Sequence, residues 1–176
     1  MKKILTILLA GMMAVGAAAS NYQHSIGIVA GSGIGVQFKT MVTDHFTIID
    51  EFGYLGSLAA AGNGFSVPTL GATDNLVLAY QAKGTEGQNI QLDWFVGGQI
   101  KGGYIDMGVA GGIIGAGAAV GFEANMKNAP IAFSFDFRPG YGCVLNGNGA
   151  AHVFDWTLNL GVRYTIPMAK AAAKKK

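Results

Sequence analysis

The segment WTLNLGVRYTI sets Trp156, Leu158, Leu160, Val162, Tyr164 and Ile166 in unbroken alternation with Thr157, Asn159, Gly161, Arg163 and Thr165. A period of two places all six apolar side chains on one face of a β-strand and the polar ones on the other. In IAFSFDFR the same rule puts Ile131, Phe133, Phe135 and Phe137 opposite Ala132, Ser134, Asp136 and Arg138. In NIQLDWFVGGQIK, Ile90, Leu92, Trp94, Val96 and Ile100 oppose Gln91, Asp93, Gln99 and Lys101, and Phe95 breaks the pattern. Weaker alternation in GIGVQFKT, NLVLAYQAK and IGAGAAVGFEAN, together with SIGIVAGS and FTIIDEFGYLG, brings the expected strands to eight. Eight is the smallest common number for a closed up-and-down barrel.

The connections fall into two kinds. Residues 42–45, 85–88 and 127–130 are short and rich in turn formers, whereas Gly56 to Asp74 and Gly142 to Val153 are long and Lys101 to Ala110 lies between. Short turns at one end and longer loops at the other are the asymmetry of an outer-membrane barrel. The connection around Ser32 and Gly33 is the tight exception.

Alternation leaves open which face looks outward, and here composition decides. Only 12% of the residues are charged and 51% are hydrophobic, whereas a soluble exterior carries charge at about a quarter to a third of its positions. The polar face is mostly Gly, Ala, Ser, Thr, Asn and Gln, with Lys39, Lys83, Lys101, Arg138 and Arg163 set against Glu51, Asp93, Glu123 and Asp136. Such a face suits a narrow interior in which unpaired charge is expensive. Aromatic residues fall toward the strand ends, Phe46, Phe122 and Tyr164 at the turn side and Phe52, Tyr54 and Trp156 at the loop side, as in interfacial girdles. The expected fold is therefore all-β, a transmembrane antiparallel up-and-down barrel of eight strands, with a secreted lipocalin-like barrel as the soluble alternative. Parity puts Asp50 on the lipid side, or Glu51 if the register moves by one.

Residues 1–19 read as a signal peptide: Lys2 and Lys3, an apolar run from Ile4 to Val15, then Ala17-Ala18-Ala19 as a cleavage pattern. Residues 20–166 form the barrel, and 167–176 a basic tail. The most apolar later stretch, Met107 to Phe122, holds six glycines in sixteen residues, which argues against a membrane helix. The formal charge of +2 also changes meaning along the chain. Removing Lys2 and Lys3 leaves ten basic against ten acidic residues, and setting aside Lys170 and Lys174 to Lys176 leaves six against ten. The barrel itself is acidic, without the basic stripe of a nucleic-acid binder.

The stretches IGIVAGSGIGVQFKTMVTDHFTI, NIQLDWFVGGQIKGGY, GFEANMKNAPIAFSFDFRPGY and FDWTLNLGVRYTI, taken in order, resemble small outer-membrane β-barrel proteins of the OmpA-like porin superfamily. The resemblance runs from about Ile26 to Ile166 and is most specific in GFEANMKNAPIAFSFDFRP and LGVRYTI. It implies an eight-stranded, monomer-like barrel in the outer membrane of a Gram-negative cell, with Glu123, Asp136, Arg138 and Arg163 at matching interior positions. Family members commonly stop at a terminal aromatic read by the barrel-insertion machinery. Here PMAKAAAKKK follows Tyr164-Thr165-Ile166, a departure from that ending.

These readings give an interior polar network of Lys39, Glu51, Lys83, Asp93, Glu123, Asp136, Arg138 and Arg163. The partners expected are the lipid bilayer with its lipopolysaccharide and the insertion machinery; no cofactor, metal or nucleic acid is expected. Gly31-Ser32-Gly33-Ile34-Gly35 lacks the Lys-Ser/Thr pair of a phosphate loop, and three scattered histidines and the single Cys143 have no metal spacing. His152 and Asp155 with Ser57 or Ser66 could compose a hydrolase triad, but loop pairs of this kind are mostly solvated, and His24-Ser25 does not match a His-x-Ser pair. The favoured function is a non-enzymatic outer-membrane protein with a structural or loop-mediated role. A narrow channel and a lipid-modifying enzyme are the alternatives.

Overall fold

The computed structural model describes residues 22–31, 33–54, 59–61, 64–66, 70–106, 110–147 and 149–167. The expected signal peptide and residues 168–176 of the expected tail lie outside them. The described chain forms ten strands: β1 (Tyr22–Ala30), β2 (Ile34–Met41), β3 (Phe46–Tyr54), β4 (Ala59–Ala61), β5 (Gly64–Ser66), β6 (Leu70–Glu86), β7 (Ile90–Asp106), β8 (Ala110–Met126), β9 (Ile131–Asn146) and β10 (Gly149–Pro167).

Eight of these close into a barrel in the order β1-β2-β3-β6-β7-β8-β9-β10, each antiparallel to its neighbours, with β1 paired back to β10. Closure leaves no free edge along the ring, which is how an antiparallel sheet avoids pairing with other chains. Facing residues followed round the wall from Ala30 pass through Ile34, Tyr54, Ala72, Tyr104, Gly112 and Leu145 to Ala150. Across the seam Ala30 faces Leu160 instead, a stagger of ten residues. At about 3.3 Å per residue and about 4.8 Å between strands, that stagger tilts the strands by about 40°.

The wall is uneven in height. Strands β6 to β10 run 16 to 19 residues, whereas β1 to β3 run eight or nine. Above the end of β1, the small β4–β5 hairpin pairs with β10 through Ala59↔Asp155 and Ala60↔Phe154, covering part of the edge left there. The expected loops 101–110 and 142–153 are largely extended hairpin, since β7 continues to Asp106 and β9 to Asn146.

Alternation along each strand resolves into an outward apolar face and an inward face. Phe95, which breaks the pattern in the sequence, points inward, 1% exposed, and packs with Ile49, Val77, Ala79 and Ala119. Its ring has room because position 121 is glycine: a Cβ there would stand 2.6 Å from Phe95 Cζ and 2.6 Å from the Phe135 carbonyl. Toward the loop end a second inward apolar cluster joins Ile105, Ile113, Val144 and Val153. Between Gly117↔Gly140 and Val120↔Phe137 the β8–β9 ladder skips Pro139, which has no N–H to donate.

Candidate functional site

The interior of the barrel is polar where the apolar clusters leave off, and its charges are sorted by strand parity. Lys39, Lys101, Arg138 and Arg163 stand against Glu51, Asp93, Glu123 and Asp136, all eight no more than 7% exposed. Four cations against four anions make this set neutral, as a low-dielectric interior requires.

Glu123 on β8 is the hub of the turn-side half. Lys39 on β2 donates to its Oε2 at 2.7 Å, Tyr22 on β1 donates its hydroxyl to Oε1 at 2.6 Å, and Arg163 on β10 pairs with Oε2 through Nη2. Arg163 Nη1 also donates to Ser134 Oγ at 3.1 Å and to the Gln37 side-chain oxygen. The Lys39 ammonium lies 5.6 Å from the Tyr22 ring centre and 5.8 Å from that of Phe95, within cation–π range. Beside this hub, Asp93 accepts from Gln91 at 2.8 Å, Asn125 at 3.0 Å and Gln81 at 3.2 Å.

Arg138 on β9 is the second hub. It binds Glu51 at 2.9 Å and Asp136 at 2.7 Å, and Asn159 donates to Asp136 at 2.9 Å. Gln37 joins the two halves, accepting from Arg163 and donating to Glu51 at 3.0 Å. Gln81 on β6 donates to both Asp93 and Glu123, so one hydrogen-bonded web ties all eight barrel strands together across the lumen. The web can fix the cross-section of the barrel and fill it. Among the described residues no group of three or more His, Cys, Asp or Glu is arranged to hold a metal ion.

Seven of the eight residues expected in the interior network are buried there, and Lys83 is not. The β6–β7 ladder shifts between Lys83 and Thr85, and Lys83 pairs instead with Glu86 at the turn-side rim, its side chain 27% exposed. Lys127 from the next turn binds the other Glu86 oxygen. These two ammonium groups, Lys127 foremost, hold the Glu86 carboxyl down to about 2.

Tyr22, Gln37, Gln81 and Asn125 belong to the web without having been marked as members. For Gln37, Gln81 and Asn125 the signal was present as a polar residue at inward parity. For Tyr22 it was not, because a register shift between Tyr22 and His24 offsets the parity of β1.

On the outside, Phe46, Phe52, Phe122 and Tyr164 are exposed and Trp156 is half-buried against Phe137; the Tyr54 side chain lies outside the described residues. Tyr80 and Trp94 join Phe46 and His45 in an aromatic group at the turn side. Asp50 does face outward, as does Asp74 on the neighbouring strand. Of the conceivable triad, His152 faces outward and stacks on Tyr141 at 5.7 Å. Ser57 and the side chains of Ser66 and Asp155 lie outside the described residues.

No family model and no curated protein sequence matches the chain. Among solved structures, it is similar to Neisserial surface protein A (NspA), with a TM-score of 0.45 and 11% identity over 81% of this chain and 93% of that one. It is also similar to Ail, the attachment invasion locus protein of Yersinia pestis, with a TM-score of 0.30 and 13% identity over 80% of this chain and 93% of that one. The fold of this chain rests on its own hydrogen-bond ladder: it is an all-β, closed, eight-stranded antiparallel up-and-down barrel.

Proposed function

We propose that the chain is an integral protein of the outer membrane, a barrel plugged by its internal ion pairs, with a structural role or one carried by the loops at its tall end. The supporting observation is the inversion of its two faces. Thirty large apolar side chains among the described residues are exposed on the outside, while the ion pairs centred on Glu123 and Arg138 are buried within. Soluble monomers rarely expose apolar patches beyond a few hundred Å², and a continuous belt of this kind has its solvent in hydrocarbon. With every barrel strand paired on both sides, the backbone needs no water at that depth.

The role is non-enzymatic in this reading, because the buried carboxylates are engaged by cations and amides and the outward histidine by an aromatic stack. Export through the expected signal peptide and insertion by the barrel-assembly machinery complete it. The test is refolding into phospholipid vesicles. A folded band that migrates differently from the heated one, with the barrel strands protected from protease, is expected; a protein that stays soluble and monomeric without lipid or detergent overturns the reading.

A further inference from the structure

The outward surface of the tall wall is grooved. Asp74, Gly102, Ile114, Cys143 and His152 face one another in a single ladder row across β6 to β10. The next outward row toward the turns runs Leu76, Ile100, Ala116 and Tyr141. Together they line an open groove of about 750 Å³. Its floor is open at Gly102, which stands in the outward row without a side chain; a Cβ built there meets nothing within 4 Å.

Four strand spacings carry the row about 19 Å across the wall, and the tilt lifts it about 12 Å toward the loop end on the way. The lower side of the groove, at Leu76 and Ile100, is continuous with the apolar belt. Its upper end, at His152, lies beyond Trp156 of the loop-side girdle. On the β6 side it ends at Asp74, next to β3 and its outward Asp50.

A peptide strand laid here would find no free backbone donors or acceptors, because these strands are already paired with their neighbours. A hydrocarbon chain needs none. We propose that the groove binds one lipid of the outer leaflet, an acyl chain lying along Ile114, Ala116 and Ile100 and the headgroup at the His152–Tyr141 end. This rests on the reading of the wall as bilayer-facing and adds to it a specific lipid position.

Wild type, Gly102→Phe and Ile28→Phe test the proposal after refolding into vesicles of phosphatidylethanolamine and phosphatidylglycerol and extraction into mild detergent. Gly102→Phe fills the groove from its open floor, and Ile28→Phe adds the same ring to the belt on β1. Native mass spectrometry is expected to show a retained lipid on wild type and Ile28→Phe and at least about tenfold less on Gly102→Phe. Alkylation of Cys143 by a water-soluble maleimide is expected to be slowed by lipid in wild type. Equal retention by Gly102→Phe, or none by wild type, overturns the groove while leaving the membrane barrel intact. Failure of all three proteins to insert overturns the barrel reading and the groove with it.

Discussion

Glu123 meets a lysine, an arginine and a tyrosine from three other strands within one buried volume. Replacing Arg163 with Leu leaves that carboxylate short of a cation, and breaking a buried pair in this way costs roughly 3–5 kcal/mol. The temperature at which the heat-modifiable gel shift occurs is therefore expected to fall for Arg163→Leu. A shift at the wild-type temperature would show that the web does not hold the barrel. Glu123, Asp136, Arg138 and Arg163 were legible in the sequence because each sits at inward parity in a long, regular alternation. Lys83 keeps inward parity, facing Asp93, but stands next to the shift at the turn-side end of β6, and its ammonium reaches Glu86 at the rim; Tyr22 was passed over because a register shift offsets parity at the start of β1.

Strand β8 shows how glycine serves packing at the scale of one element. Gly121 lies between the Phe95 ring and the Phe135 backbone, so Gly121→Val must displace one or the other. Overpacking of this kind costs about 1–3 kcal/mol, and the folded band of Gly121→Val is expected to melt earlier in the same gel assay. The turns have a chemistry of their own. The Glu86 carboxyl is held at about 2 by Lys127 and Lys83, so its contribution is complete above the ordinary range of a glutamate near 4.5 and is lost as pH falls through about 2. Amide exchange at residues 127–129 should quicken below that range in wild type, and Glu86→Gln should abolish the dependence. The upper parts of β7 and β9 were read as loops because glycines at 102, 103, 140 and 142 blank the alternation there; pairing with β8 makes them strand.

At the scale of the whole molecule, the lumen is filled by the polar web and by the apolar clusters around Phe95 and around Ile105 and Val144. Planar-bilayer recording of the folded protein is accordingly expected to show no stable conductance steps, and steady single-channel openings would favour the channel alternative. The sequence by itself determined the class of fold, since a period of two sustained over many segments can only be a sheet with unlike faces, and scarce charge makes the polar face the inner one. It also determined which charges point inward along regular strands. Only the tertiary structure decided the closure of β1 on β10, the stagger of ten, the uneven height of the wall and which anion meets which cation. Those depend on register between strands far apart in the chain, and alternation carries the parity of a strand but not its offset from a neighbour.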